Sequence, residues 1–219
     1  MISTIVLNNA LPQVFAQSKN DEVIKQSQVW CEKVELSCPD YSLIEAESGT
    51  GKSSLCSFLY GKRSDYSGEI LFNGEDIRTF TIERWCELRR CSLAYLPQEM
   101  CLFPELTALE NVQIKNQLTD YKSEREIIEM FEQLEIQGKI GQPVAQLSIG
   151  QQQRVAIIRS LCQPFNFLIL DEPVSHLDDR NNDLVSTLID VEAKKQGAGV
   201  IATSVGNKIN LPFEKLLNL

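Results

Sequence analysis

Three short stretches contain residues whose types and spacing could handle phosphate. The first, "AESGTGKSS" at residues 46–54, follows the apolar "YSLIE" and fits Ala/Gly-x-x-x-x-Gly-Lys-Ser/Thr from Ala46 to Ser53. A strand that stops abruptly into such a loop can aim several N–H groups at one anion. Gly49 and Gly51 permit that backbone, because they lack Cβ and tolerate φ > 0. A helix beginning near Lys52 adds the positive end of its dipole. Lys52 would neutralise the β- and γ-phosphates of a nucleotide, and the Ser53 hydroxyl would reach Mg²⁺. The candidate nucleotide-binding positions here are Ser48, Gly49, Thr50, Gly51, Lys52, Ser53 and Ser54. Ala46 stands where such loops usually open with glycine, and its methyl is tolerable only if the residue stays at φ < 0.

The second stretch is "FNFLILDEP", residues 165–173. An apolar strand buried on both faces would carry Asp171 and Glu172 to the carboxyl edge of a sheet, beside the loop. Asp171 suits the Mg²⁺ shell, and Glu172 suits the general base that polarises an attacking water. The third stretch is "QLSIGQQQRVAIIRSL", residues 146–161, where Ser148 and Gly150 open a helix. That makes a second helix N-terminus suited to an anion. Two phosphate-binding termini about a hundred residues apart make sense if the second serves another subunit's nucleotide.

With these stretches in this order, the chain resembles the ATP-binding subunits of ABC transporters over nearly its whole length. "AESGTGKSS" looks like their Walker A, "LPQ" with Gln98 like their Q-loop, and "LSIGQ" like their signature. "LILDEP" looks like Walker B, and "SHLD" at residues 175–178 like the D-loop. "LFPELTALENV" is most similar to the group serving lipoprotein release, macrolide export and cell division.

The resemblance implies an α/β fold: a RecA-like P-loop core with a parallel sheet, an antiparallel β-subdomain, and a helical subdomain. It divides a single domain 1–219 into a core with its β-subdomain (1–98 and 161–219) and a helical part (99–160). It also implies a head-to-tail dimer, homo- or heteromeric, holding two ATPs between the Walker A of one subunit and Ser148, Gly150 and Gln151 of the other. Gln98 would sense the γ-phosphate and Mg²⁺, and couple the site to a separately encoded membrane-spanning permease on the cytoplasmic face. An aromatic residue near the N-terminus stacks on adenine in the family, and Phe15 is the candidate here.

Two further positions depart from the family. Ile149 replaces the first of the paired signature glycines. Ser204, in "ATSVGN", stands where the family places a histidine contacting the γ-phosphate. Serine is shorter and carries no charge, so its transition-state help is expected to be weaker. The lone histidine, His176, lies in the D-loop-like segment and reads as an interface residue. A second reading follows from Ser204: a weakly hydrolysing ATP-dependent clamp. The retained Glu172 favours the motor.

The elements that must position these residues are legible as an alternation of strands and helices, which favours a parallel sheet. β-type segments occupy residues 4–46, and a helix is expected over about 52–60. "GEILFNGEDI" predicts a hairpin at Asn73-Gly74. "TIERWCELRRC" and residues 105–137 show helical spacing. "SLAYLPQ", "FLIL" and "GVIATS" read as strands, and a helix is expected over roughly 178–195. The chain has 219 residues, 43% hydrophobic and 23% charged, an ordinary globular composition. Its formal charge of −9 argues against nucleic acid or an anionic membrane surface as partner. No stretch approaches the roughly 20 apolar residues that cross a bilayer. The seven cysteines show no C-x-x-C pair, so zinc and disulfides are not expected.

Overall fold

Two sheets of different character organise the protein, whose computed structural model describes residues 1–18 and 22–219. From the N-terminus run β1 (Thr4–Pro12), a 3-10 turn (Gln13–Ser18), α1 (Glu22–Gln26), β2 (Lys33–Ser37) and β3 (Tyr41–Glu45). Next come α2 (Lys52–Leu59), β4 (Tyr66–Phe72), β5 (Glu75–Asp76), α3 (Ile82–Cys91) and β6 (Leu93–Leu96). A helical stretch follows with α4 (Ala108–Asn116), α5 (Glu124–Gln133) and α6 (Ile149–Leu161). The chain then forms β7 (Phe167–Asp171), α7 (Asp179–Gln196), β8 (Gly199–Ser204) and β9 (Lys215–Asn218).

The antiparallel sheet has the order β2-β1-β4-β5, and the parallel sheet β6-β7-β8-β3-β9. All five residues of β7 and all six of β8 are buried, which explains their unbroken apolar runs. Alternate side chains of the parallel sheet enter different cores, as the two-residue repeat of a strand requires. Leu43, Leu168, Leu170, Val200 and Ala202 join the cluster containing Phe131 of α5, Ile158 of α6 and Ile189 of α7. Ile44, Phe167, Ile169 and Ile201 join the other, with Phe58 of α2 and Leu7 and Phe72 of the antiparallel sheet. The fold is therefore α/β with a parallel core, an antiparallel sheet on one side and a helical group on the other.

Helix starts follow local chemistry. "TALE", "SERE" and "SIGQ" form reciprocal capping boxes at Thr107–Glu110, Ser123–Glu126 and Ser148–Gln151. Asp178 caps α7 through its carboxylate, which accepts from Asn181 N–H. A buried ion pair, Lys122 Nζ to Glu192 Oε2 at 2.6 Å, ties the start of α5 to α7.

The β1–β4 pairing slips between Asn8 and Leu11, with Asn9 at φ 52°. Gly68 faces this bulge at φ 77°, and a Cβ there would stand 2.1 Å from the Asn9 carbonyl oxygen. Neither backbone can yield without breaking the ladder. Gly68→Ala is expected to lower the unfolding free energy by about 2–4 kcal/mol in urea denaturation. A loss below about 0.5 kcal/mol would show that the strands slide apart cheaply.

Candidate nucleotide-binding site

The phosphate loop hangs between β3 and α2. Its entry is fixed by Ala46 N–H, which donates to the Ser204 carbonyl at 3.2 Å. Ala46 lies outside the left-handed region, so its methyl is accommodated, while Gly49 and Gly51 take φ 89° and φ 103°. Gly51 is the N-cap of α2 and brings no side-chain acceptor, leaving the first helical N–H groups to an anion. The Trp30 indole N–H donates to Thr50 O at 3.0 Å, and Thr50 Oγ1 donates to Glu47 O at 2.9 Å. These two bonds pin the loop's crest. Ser48 and Gly49 are exposed on it.

Lys52 is only 5% exposed. Its ammonium donates to Glu47 O at 2.7 Å and to Ala46 O at 3.3 Å, and lies 3.9 Å from Glu172 Oε1. Desolvation lowers its pKa, opposed by the charges of Glu172 and Asp171. Ser54 points elsewhere and accepts from Arg63 at 2.9 Å.

Asp171 ends β7 and is 1% exposed. Its Oδ1 accepts from Thr203 Oγ1 at 2.8 Å, while Oδ2 has no partner among the described residues. Burial raises the pKa of this carboxyl, and the Thr203 and Ser53 hydroxyls act against that rise. A buried carboxylate oxygen without a partner costs about 1–3 kcal/mol, unless a cation or water satisfies it. Ser53 and Asp171 are oxygen donors of the kind that could hold a hard divalent cation such as Mg²⁺.

Glu172 follows at φ 52°, a left-handed backbone that a non-glycine residue rarely adopts. Its N–H donates to Thr203 Oγ1 at 3.2 Å, and its carbonyl accepts from Gln153 Nε2 at 3.3 Å. Its carboxylate lies between Lys52 and Gln98, whose Nε2 donates to Oε2 at 3.4 Å. Lys52, Gln98, Asp171 and Glu172 are thereby gathered at the carboxyl ends of β3, β6 and β7.

Ser204 is 3% exposed, and its hydroxyl donates to Asn207 O at 2.8 Å. Its share in the site runs through its backbone, which holds the loop at Ala46. Phe15 is half-buried beside the phosphate loop, with Cε2 3.0 Å from where a Gly51 Cβ would stand. Ser148, Gly150 and Gln151 form a separate surface: among the described residues, no hydrogen bond or ion pair joins them to Lys52, Asp171 or Glu172. Ile149 is half-exposed there. Gly150 packs on residues 175–178, since a Cβ on it would lie 3.0 Å from His176 O.

The sequence reading misses Trp30, Thr203 and Gln153. Thr203 carries a readable signal, because it precedes Ser204 at the end of a strand beside the acids. Trp30 carries none, because its bond to Thr50 depends on how the N-terminal segment folds back over the loop.

The family model described as "ABC transporter" matches residues 41–175. The chain belongs to the ABC transporter family. The lipoprotein-releasing system ATP-binding protein LolD of Buchnera aphidicola subsp. Schizaphis graminum is 33% identical over 153 residues, or 68% of this chain and 67% of that protein. The ribose import ATP-binding protein RbsA of Streptococcus agalactiae serotype V is 32% identical over 178 residues. That match covers 78% of this chain and 35% of RbsA, so the chain spans about a third of that protein's length. In structure, the chain resembles the dimeric form of the bacterial ABC transporter cassette MJ0796, with TM-score 0.73 and 23% identity. The superposition covers 91% of this chain and 87% of that one, and supports the fold. Within this ABC chain, Lys52, Gln98, Ser148 and Glu172 fall inside the matched segment, whereas Phe15 and Ser204 fall outside it.

Proposed function

We propose that the protein binds and hydrolyses ATP as the motor subunit of an ABC transporter, working on the cytoplasmic face of the membrane through a separately encoded permease. No helix among the described residues is long and apolar enough to cross a membrane, which accords with a permease on another chain. The observation that carries the reading is the gathering of Lys52, Gln98, Asp171 and Glu172, while the Ser148–Gln151 surface stays apart from it. A site split in this way is completed by a second cassette, identical or not, whose Ser148, Gly150 and Gln151 meet the first cassette's nucleotide. Residues 99–160, which carry that surface, act as the helical subdomain of the single domain 1–219.

In the loaded site, the loop amides and Lys52 hold the triphosphate, and Phe15 stacks on adenine. Ser53, Gln98 and Asp171 would hold Mg²⁺, which would supply charge neutralisation of the phosphates. Glu172 accepts the proton of the attacking water, and Gln98 lies within hydrogen-bond reach of Glu172.

One observation favours a slower, clamp-like version of the same site. The Ser204 hydroxyl is already engaged by Asn207, so the position gives the γ-phosphate no side-chain partner. Ser204→His is expected to raise turnover by about tenfold with ATP affinity nearly unchanged, since one added donor to developing charge is worth a few kcal/mol at most. Steady-state Mg-ATP hydrolysis, with ATP binding measured in parallel, checks this. Brisk wild-type turnover that Ser204→His leaves unaltered would remove the clamp reading. Absence of ATP binding would overturn the motor as well.

A further inference from the structure

Gln153 is a buried polar side chain that the chemistry above does not use. It lies in the second turn of α6, 2% exposed, and both ends of its amide are occupied. Its Nε2 donates to the Glu172 carbonyl at 3.3 Å and approaches Ser175 Oγ at 3.5 Å. Its Oε1 accepts from His176 N–H at 3.1 Å. One side chain therefore spans the turn from Glu172 to His176.

That turn contains the one strained residue of the acid pair. Glu172 at φ 52° persists only if its surroundings over-determine it, at a cost of order 1–3 kcal/mol. Two side chains grip its peptide groups from opposite elements. Thr203 of β8 takes the N–H, and Gln153 of α6 takes the carbonyl. Thr203 also holds Asp171, so it fixes both acids, whereas Gln153 reaches only Glu172 and the segment after it. We infer that Gln153 is a positioning residue for hydrolysis: its amide holds the left-handed turn at Glu172, and so aims the carboxylate at the water. Because Gln153 sits five residues beyond Ser148 on the same helix, it also joins the second anion-binding surface to the base by a single rigid element.

The inference rests on Glu172 being the base, and the test separates the two claims. Gln153→Met keeps length and bulk without either hydrogen bond. Gln153→Glu keeps an acceptor for His176 N–H and loses the donor to the Glu172 carbonyl. Single-turnover hydrolysis and ATP binding are measured for each, alone and combined with Glu172→Gln. Where wild-type turnover falls below detection, the series is run in the Ser204→His background. Both Gln153 variants are expected to lower the hydrolysis rate by about tenfold or more, with the dissociation constant for ATP within about twofold, and to add nothing once Glu172 is gone. Gln153→Met with a rate within about twofold of its parent overturns the inference. So does a rate that falls only in step with ATP affinity and melting temperature, or a loss that persists in full beside Glu172→Gln. If Glu172→Gln itself leaves turnover intact, the base assignment fails, and the Gln153 inference fails with it.

Discussion

Glu172→Gln is expected to abolish multiple turnover while leaving ATP bound. The amide is nearly isosteric with the carboxylate, so the left-handed turn and the contacts from Thr203 and Gln153 remain. What disappears is the only carboxylate among the described residues placed between Lys52 and Gln98 that could take a proton from water. Asp171 is no substitute, since it is buried, bonded to Thr203 and beside Ser53. General-base catalysis contributes about 10²–10⁴-fold, and a drop of that size is expected in single-turnover hydrolysis. Affinity for ATP should hold or rise, because a negative charge facing the triphosphate is gone. Hydrolysis within about threefold of wild type would exclude Glu172 as the base.

Lys52→Met is expected to act on the other half of the reaction. The ammonium is held by two loop carbonyls and lies near Glu172, so it is aimed before any nucleotide arrives. Charge-assisted bonds to phosphate are worth about 1.5–3 kcal/mol, which corresponds to a loss of about 10–150-fold in ATP affinity. The fold should survive, since the substitution removes a desolvated charge as well as its bonds, and the methionine stem fills the same space. The decisive measurement is the ATP-dependent rise in melting temperature, which follows ligand occupancy by mass action. Lys52→Met should melt near the wild-type temperature without ATP and show little rise at ATP concentrations that shift the wild type. An undiminished rise would place the phosphates away from this loop.

The parts of the protein legible in its sequence are those set by local rules. The loop glycines, Lys52 at a helix start and two acids ending an apolar strand each declare a conformation within ten residues. The same is true of "TALE", "SERE" and "SIGQ", whose caps close on themselves. Other features depend on distant segments meeting. The Trp30 bond to Thr50 spans 20 residues, and Gln153 reaches Glu172 across 19. No spacing rule predicts either pairing. Helix α3 shows a third limit: its helical pattern is readable, yet none of its residues is fully buried. Its Trp85 packs on Phe72 and Phe80 from outside the core. Ser204 marks a fourth: the resemblance to the family implies a histidine in its place, but nothing in the sequence tells that the serine hydroxyl turns to Asn207.

The short strand β9 has a consequence for how the protein behaves in solution. It pairs in parallel with β3 from Ser42–Lys215 to Glu45–Asn218, and Leu219 N–H donates to Glu45 O at 2.8 Å. Without it, β3 would be the outer strand of the sheet, with its unpaired N–H and C=O groups beside Leu43 and Ile44. Such an edge is a template for the strand of another molecule. β9 takes that position, and its own outer side is blunted by Gln28, which exchanges bonds with Asn218 in both directions. The strand that feeds the phosphate loop is thus insulated from aggregation by four residues, and fraying of that strap would be felt as lost solubility before it was felt as lost ATP.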